Sequence, residues 1–260
     1  MKVLFTAFVF TWALALSAAC IVYPAKGNIS FEEGTLEMLI AANFDPASAP
    51  VRNTEIHGTA FQMDFPGDAY KNHFVLRFWK RKLPTGKIAN ELRVSLWFDG
   101  KGQGGPAISV SSWKKGEFHH IAMSWNKGSC IMYCDGKEVW KGKLAFPRSL
   151  DTGTVYLLVG GRALWWKKSS TPVREKFMPE EKTPFSVAAV KISADARKPG
   201  KFTPDKLTLL LDDYRKNPPK NAVTSPLIIS EEGKQNGRIF GKFFFDAKGI
   251  HLYPGKRAAK

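Results

Sequence analysis

One segment of this chain combines side chains that could hold a ligand. An arginine, two adjacent tryptophans and two lysines follow one another closely: Arg162, Trp165, Trp166, Lys167 and Lys168. Indole rings can stack on the apolar face of a sugar ring, and the cations can hold an anionic substituent through charge-assisted hydrogen bonds. The alternative is structural, because two tryptophans can also pin a long loop to the protein. The sequence predicts a ligand site here and leaves that alternative open.

Paired carboxylates of the kind that glycan hydrolysis requires are not apparent. A retaining glycosidase holds two carboxyl groups about 5–5.5 Å apart, which on one strand means acidic residues two positions apart. The acidic pairs of this chain are adjacent, which would turn their side chains to opposite faces of a strand: Glu32-Glu33, Glu180-Glu181, Asp212-Asp213 and Glu231-Glu232. The sequence therefore predicts no catalytic residues. A divergent hydrolase remains an alternative, because carboxylates can converge from different strands.

The thiols and imidazoles form no recognisable metal or catalytic motif. Cys130 and Cys134 would lie about 13 Å apart on one strand, too far for a disulfide. The five histidines lack the spacing of zinc ligands: His57, His73, His119, His120 and His251. We therefore predict two free structural thiols, no metal site and no cofactor.

The first 19 residues resemble a secretory signal peptide. Met1-Lys2 gives a positive start, residues 3–16 are almost wholly apolar, and Ser17 and Ala19 fit cleavage before Cys20. The apolar run is too short for a permanent membrane span, and no other segment approaches the roughly 20 apolar residues that a span needs. We expect an exported chain, secreted, periplasmic or at the cell surface. Cys20 leaves a lipid anchor open.

Positive charge is concentrated in the later two thirds of the chain. The net charge is +16, yet residues 20–79 carry four basic and seven acidic side chains, whereas residues 80–260 carry 34 and 16. The basic residues come in pairs and triplets such as Lys80-Arg81-Lys82. This pattern is typical of solvated strand edges and loops, with a polyanion-binding face as the alternative. We expect no nucleic acid among the partners.

The segments that must position these residues alternate with the period of a β-strand. The predicted strands are 35–41, 74–80, 92–98, 107–110, 117–125, 130–134, 137–143, 154–159 and 185–192. Asp135-Gly136 predicts a tight hairpin turn, because both residue types accept positive φ. Residues 203–214 fit a helix capped by Thr203 or a helical turn followed by a strand. A further hairpin is predicted within residues 238–253.

A longer pattern lies within residues 113–139. An aromatic residue and a histidine precede an alternating strand that ends at Trp125, and Tyr133-Cys134-Asp135-Gly136 closes a hairpin. This pattern resembles the central signature of the laminin G-like, concanavalin A-like jelly rolls. Residues 34–40, 156–161 and 187–197 are similar to other strands of that family.

The resemblance covers residues 28–200 and implies an all-β, antiparallel, two-sheet jelly-roll sandwich with little helix. We divide the chain into a signal peptide (1–19), an N-terminal lead (20–27), the jelly roll (28–200) and a C-terminal extension that packs back on the sandwich (201–260). Calcium-binding relatives gather carboxylates at one rim. Such ligands cannot be matched in this chain, so a calcium cofactor is left open.

These observations predict an exported, non-catalytic recognition module. A glycan is the favoured ligand, an acidic one in view of the cations near Trp165 and Trp166. Adhesion to an extracellular protein, or a scaffold role, is the alternative, and a divergent glycan hydrolase is the second alternative.

Overall fold

The computed structural model describes most of the chain between Cys20 and Leu252. The described residues are 20–42, 45–47, 56–65, 72–144, 146, 155–159, 161–163, 177–179, 185–213, 227–231, 235–240, 243–246 and 249–252. Their regular elements are all strands. Across these ranges, no helix has the length and apolar character needed to cross a membrane.

The strands are numbered in chain order. They are β1 (Cys20–Pro24), β2 (Glu33–Ala42), β3 (Ile56–Asp64), β4 (His73–Lys82), β5 (Ile88–Phe98), β6 (Lys101–Ser109), β7 (Phe118–Asn126), β8 (Ser129–Cys134), β9 (Lys137–Lys143), β10 (Tyr156–Val159), β11 (Gly161–Ala163), β12 (Phe177–Pro179), β13 (Phe185–Ser193), β14 (Thr208–Asp213), β15 (Leu227–Glu231), β16 (Gln235–Phe240), β17 (Phe243–Asp246) and β18 (Gly249–Leu252).

Two large antiparallel sheets pack face to face as a sandwich. Sheet A has the strand order β15-β16-β1-β10-β3-β4-β5-β6, and sheet B has the order β17-β18-β13-β2-β7-β8-β9. Strand β14 pairs with β13 beside sheet B, and β11 with β12 forms a two-stranded ribbon. The fold class predicted from the sequence is therefore confirmed.

Side chains along each strand point alternately to the two faces of its sheet, and those on the inner faces form the core between the sheets. Strand β7 turns Ile121, Met123 and Trp125 inward, and β4 of the opposite sheet contributes Phe74, Leu76 and Phe78. All six side chains are at most 3% exposed, and burial of each contributes about 1.5–3 kcal/mol relative to exposure. The same alternation turns His120, Ala122 and Ser124 to the outer face of sheet B.

The structure adds β1, β11, β12 and β15, which the sequence did not predict, and it also departs from the prediction at β3 and at Thr203. Strand β3 was not predicted, and its pairing with β4 is interrupted by two register shifts, after Ile56 and after Thr59. Such irregularities interrupt the alternation that marks a strand in sequence. Of the two alternatives for residues 203–214, the helix is wrong and the turn followed by a strand is confirmed: residues 206–207 form a turn and β14 follows.

Strands at both ends of the described chain join the sandwich. Strand β1 lies between β10 and β16 in sheet A, and the hydroxyl of the fully buried Tyr23 donates a hydrogen bond to Asp212 on β14. The predicted C-terminal hairpin is present as β17 and β18. Cys130 and Cys134 are both free thiols, as predicted.

Candidate functional site

The ligand site predicted from the sequence falls largely outside the described residues. Arg162 is the middle residue of the short strand β11 and pairs with Met178. Trp165, Trp166, Lys167 and Lys168 lie outside the described ranges. That site therefore stays a prediction.

The centre of the outer face of sheet B is covered by residues 194–207, which we call the strap. Thr35 on β2 is fully buried, and its hydroxyl donates to the carbonyl of Asp195 at 2.7 Å. The same hydroxyl accepts the backbone N–H of Arg197 at 3.0 Å. A single buried hydroxyl thereby fixes the start of the strap to the sheet.

A buried carboxylate holds the middle of the strap. Glu37 is fully buried and accepts the backbone N–H of Gly200 at 2.9 Å, while its Oε2 lies 3.0 Å from His120 Nε2. The ring of Phe202 packs against the imidazole of His120, with 5.0 Å between centroids. The strap therefore covers the centre of this face.

Ion pairs stabilise the end of the strap. Partial burial opposes ionisation of Asp205, but the backbone N–H of Leu207, the guanidinium of Arg197 and the charge of Lys191 outweigh it, and they lower the pKa of Asp205 to about 2. Arg197 Nη1 donates to Asp205 at 2.7 Å, and Lys191 Nζ lies 3.4 Å from the same oxygen. Asp205 is therefore ionised at neutral pH.

A cavity of about 360 Å³ opens at one end of the sandwich. Three segments meet there: the connection before β2, the turn between β7 and β8, and the chain that follows β9. The backbone N–H of Lys127 donates to the carbonyl of Glu32 at 3.0 Å, and that of Leu144 donates to Gly128 at 2.9 Å. These bonds hold the three segments around the opening, which we call the rim cavity.

Aromatic rings form the interior of the rim cavity. Phe146 packs against Phe31, with 5.7 Å between ring centroids, and against Trp125, with 5.3 Å. The indole N–H of Trp125 donates to the carbonyl of Ser30 at 3.0 Å, so its polar atom is satisfied away from the cavity. Phe31 is only partly buried. Trp125 and Phe146 are only 2% and 6% exposed and form the floor of the cavity, so Phe31 is the ring that a ligand can contact.

One carboxylate and one ammonium group stand at the mouth. Glu32 and Lys127 are both exposed, and Glu32 is the only acidic side chain among the described lining residues. Lys127 and Gly128 have φ values of 46° and 87°, as a tight hairpin turn requires. Glu32 and Lys127 can exchange hydrogen bonds with the hydroxyl groups of a ligand. Glycoside hydrolysis generally requires two carboxyl groups.

A row of positive charge continues from the cavity along the edge of sheet B. Lys141 and Lys143 are exposed on the edge strand β9 and, two positions apart, point to the same face. Neither forms a salt bridge with any residue that the structure describes. Lys143 directly precedes Leu144, which lines the cavity. Lys127, Lys141 and Lys143 form what we call the lysine edge.

The sequence did not identify the rim cavity. Asn126-Lys127-Gly128 was recognisable only as a turn, and Phe31-Glu32 follows no periodic pattern. Phe146 is more than a hundred residues from Phe31 along the chain. Because the site forms where three loops meet, no local motif could have indicated it.

The chain was compared with known proteins. No family model and no curated protein matches it. Similar solved structures include a carbohydrate binding module from Bacillus subtilis, at 10% identity and a TM-score of 0.30, with 49% of this chain aligned. A chain from Bacteroides ovatus described as a candidate carbohydrate binding protein is 13% identical, with a TM-score of 0.46 and 93% of this chain aligned. Domains LG4-5 of the mouse laminin alpha1 chain are 13% identical, with a TM-score of 0.40 and 70% aligned.

The alignments cover 67%, 60% and 40% of those three chains, respectively. This chain therefore spans about two thirds or less of the length of these structures. At such identities and TM-scores, its function has to be inferred from its own side chains.

Proposed function

We propose that this chain is a non-catalytic carbohydrate-recognition domain that binds a sugar in the rim cavity. The observation that carries this proposal is the combination of the partly exposed ring of Phe31, over a floor of buried aromatic rings, with a carboxylate and an ammonium group at the mouth. Sugar rings present an apolar C–H face and a rim of hydroxyl groups, so they need both kinds of contact. The cavity volume of about 360 Å³ is at the small end of the range for ligand pockets.

The proposed ligand is an acidic glycan. The lysine edge begins at the cavity mouth and continues along β9, so a chain whose terminal sugar occupies the cavity would pass beside Lys141 and Lys143. Carboxylate or sulfate groups on that chain would meet exposed ammonium groups, which attract them over about 10 Å at 0.1 M salt. Glu138, the acidic residue of β9, lies toward the far end of the strand.

We propose that the chain acts outside the cytoplasm after cleavage before Cys20. Such a cut would keep the whole of β1, which begins at Cys20 and pairs with two strands of sheet A. A lipid anchor at Cys20 remains a prediction. The segment from Arg162 to Lys168 is proposed as a second contact for the same glycan.

A glycan array tests the proposal, with Phe31→Ala as the variant and Phe98→Ala as its control. Both phenylalanines are partly buried against the core, but only Phe31 lines the rim cavity. We expect the original chain to bind acidic glycans, with or without calcium. Phe31→Ala should weaken binding about tenfold, equivalent to ~1.4 kcal/mol, and Phe98→Ala should leave it unchanged.

Three results would contradict the proposal. Equal losses in Phe31→Ala and Phe98→Ala would show that binding depends on overall stability and not on the cavity. Binding to no glycan, together with release of sugar fragments from a polysaccharide, would favour the hydrolase alternative. Selective capture of an extracellular protein would favour adhesion.

A further inference from the structure

A second cluster of polar side chains lies where β7 begins and where β8 ends in the turn to β9. His119 Nδ1 lies 2.9 Å from Asp135 Oδ2, and Cys134 Sγ lies 3.7 Å from the same oxygen. One nitrogen, one sulfur and one oxygen therefore lie within 4.8 Å of one another. These are the three donor types that bind zinc in proteins.

The backbone and a neighbouring ring hold the three donors in place. The N–H of Asp135 donates to the carbonyl of His120, and the N–H of His120 donates to Asp135 Oδ1, both at 2.8 Å. The imidazole of His119 stacks on the buried ring of Trp113, with 4.0 Å between centroids and 10° between planes. The donor positions are thus set by the fold before any ion binds.

We propose that His119 Nδ1, Cys134 Sγ and Asp135 Oδ2 form a three-ligand site for Zn²⁺, with the fourth position open to solvent. Zinc lies about 2.0–2.2 Å from nitrogen and oxygen ligands and about 2.3 Å from sulfur. A tetrahedron with these bond lengths separates its donors by roughly 3.3–3.6 Å. The separations of Asp135 Oδ2 from His119 Nδ1 and from Cys134 Sγ, 2.9 and 3.7 Å, need to change by only a few tenths of an ångström. His119 Nδ1 and Cys134 Sγ lie within 4.8 Å of each other and have to approach by up to about 1.3 Å, through a side-chain adjustment of the partly buried Cys134.

The donor set distinguishes zinc from calcium. Calcium takes six to eight oxygen ligands and does not favour sulfur or imidazole nitrogen. Here one carboxylate is joined by an imidazole and a thiol, a combination that suits zinc. Asp135 is half exposed, with a side-chain exposure of 51%, which leaves room for water at the fourth position.

An unpartnered nitrogen of His119 fits this role. His119 Nε2 is buried and has no hydrogen-bond partner among the described residues, and a carboxylate oxygen of Glu117 lies 3.7 Å away. When zinc occupies Nδ1, the proton of the neutral ring moves to Nε2. Nε2–H then faces Glu117, the carboxylate–histidine–metal arrangement that commonly orients a zinc ligand.

Binding requires the loss of the Cys134 proton. Burial, together with the neighbouring charge of Asp135 and a hydrogen bond to it, raises the pKa of Cys134 to about 12. Zinc must therefore displace the proton from the thiol, and one proton is released for each ion bound.

Calorimetric titration of the purified chain with zinc chloride tests the site, with cobalt chloride as a spectroscopic probe. We expect one zinc ion per chain, with proton release, and thiolate-to-cobalt charge-transfer absorption when cobalt replaces zinc. Calcium chloride should give no saturable heat.

Cys134→Ser and Cys130→Ser form a matched pair. Cys130 is the other free thiol nearby, but it is buried in the core and lies outside the cluster. Cys134→Ser should abolish the charge-transfer band and weaken zinc binding at least about tenfold, a loss typical of changes at metal sites. Cys130→Ser should retain both, and unfolding curves of the two variants establish that each is folded.

A measurement on the unchanged chain makes the test independent of variant folding. Zinc should slow alkylation of Cys134 by iodoacetamide, as located by peptide mass spectrometry, and calcium should not. The proposal is overturned if zinc leaves this rate unchanged, or if Cys134→Ser binds zinc as tightly as Cys130→Ser does. Both results are independent of glycan binding.

Discussion

At the scale of single residues, two glycines show which conformational demands are visible in sequence. Gly136 follows Asp135 in a hairpin pattern, and both residues have the positive φ that this pattern predicts, 76° and 51°. Gly34 carries no such local signal. A β-carbon there would lie 2.6 Å from the ring of Trp125 and 3.0 Å from the carbonyl of Ser193. Glycine is required at position 34 only because the surrounding side chains and backbone are packed so closely.

Gly34→Ala should destabilise the chain by about 1–3 kcal/mol, because the added methyl group overpacks a filled site. Trp125 cannot easily move away, since it is 2% exposed and its N–H is bonded to Ser30. Gly104→Ala is the control, because a β-carbon at Gly104 meets nothing within 4 Å. Urea unfolding of both variants measures the difference, and equal stability would show that Trp125 adjusts without cost.

At the scale of elements, the glycine-rich residues 100–105 show how pairing overrides local pattern. Such a run of glycines is typical of a hairpin tip, but β6 already begins at Lys101, and the turn lies at Asp99-Gly100. A β-carbon at Gly105 would lie 2.3 Å from the carbonyl of Val94 on the neighbouring strand. The glycines allow this close approach, and Pro106 is tolerated because β6 is an edge strand.

The strap gives the chain an acid-sensitive ion pair. The pKa of Asp205 is about 2 in the folded chain, below its ordinary value of 3.8. Because the pKa of Asp205 is lower in the folded chain than in the unfolded chain, its ionised form stabilises the fold at pH values above the unfolded-chain pKa. This stabilisation is lost as pH falls from about 4 through about 2. Asp205→Asn should therefore be less stable than the original chain at about pH 5, with the gap closing by about pH 2.

Urea midpoints at several pH values measure this gap. Asparagine can keep the acceptor for the backbone N–H of Leu207, so the variant isolates the contribution of charge. Glu138→Gln removes an exposed carboxylate from β9, away from the strap, and is the control. A gap between Asp205→Asn and the original chain that stays constant with pH would mean that the ion pairs with Arg197 and Lys191 contribute nothing.

At the scale of the whole molecule, the positive field is spread over both sheets, but only part of it adjoins the rim cavity. Lys141→Ala with Lys143→Ala should weaken binding of a uronic-acid oligosaccharide at low salt and have little effect at about 1 M salt. The reason is screening by salt: exposed charges attract each other over only about 3 Å at 1 M salt, but over about 30 Å at 0.01 M. Lys87→Ala with Lys101→Ala removes the same charge beside sheet A and should bind normally at both salt concentrations.

The segment from Arg162 to Lys168, predicted from the sequence as a ligand site, is tested in the same binding experiment at low and high salt. Lys167→Ala with Lys168→Ala should behave like the lysine-edge pair, whereas Trp165→Ala and Trp166→Ala should weaken binding at every salt concentration, because stacking is insensitive to screening. If only the loop variants lose affinity, the glycan contacts the loop and not the lysine edge. If neither set does, charge plays no part in recognition.

The sequence by itself determined the fold class, most strands of the sandwich and the tight turn at Asp135-Gly136. Those features depend on local quantities: the alternation of apolar residues, such as Ile121, Met123 and Trp125, and the φ preference of glycine. Side chains two positions apart on a strand share a face whatever the rest of the chain does.

Only the tertiary structure revealed the rim cavity, the strap and the cluster around Asp135. Phe31 meets Phe146 and Thr35 meets Arg197 because sheet topology brings distant segments together. His119 and Cys134 become neighbours because β7 and β8 pair in one particular register. Register and loop convergence depend on the packing of two whole sheets, which leaves no trace at any single position of the sequence.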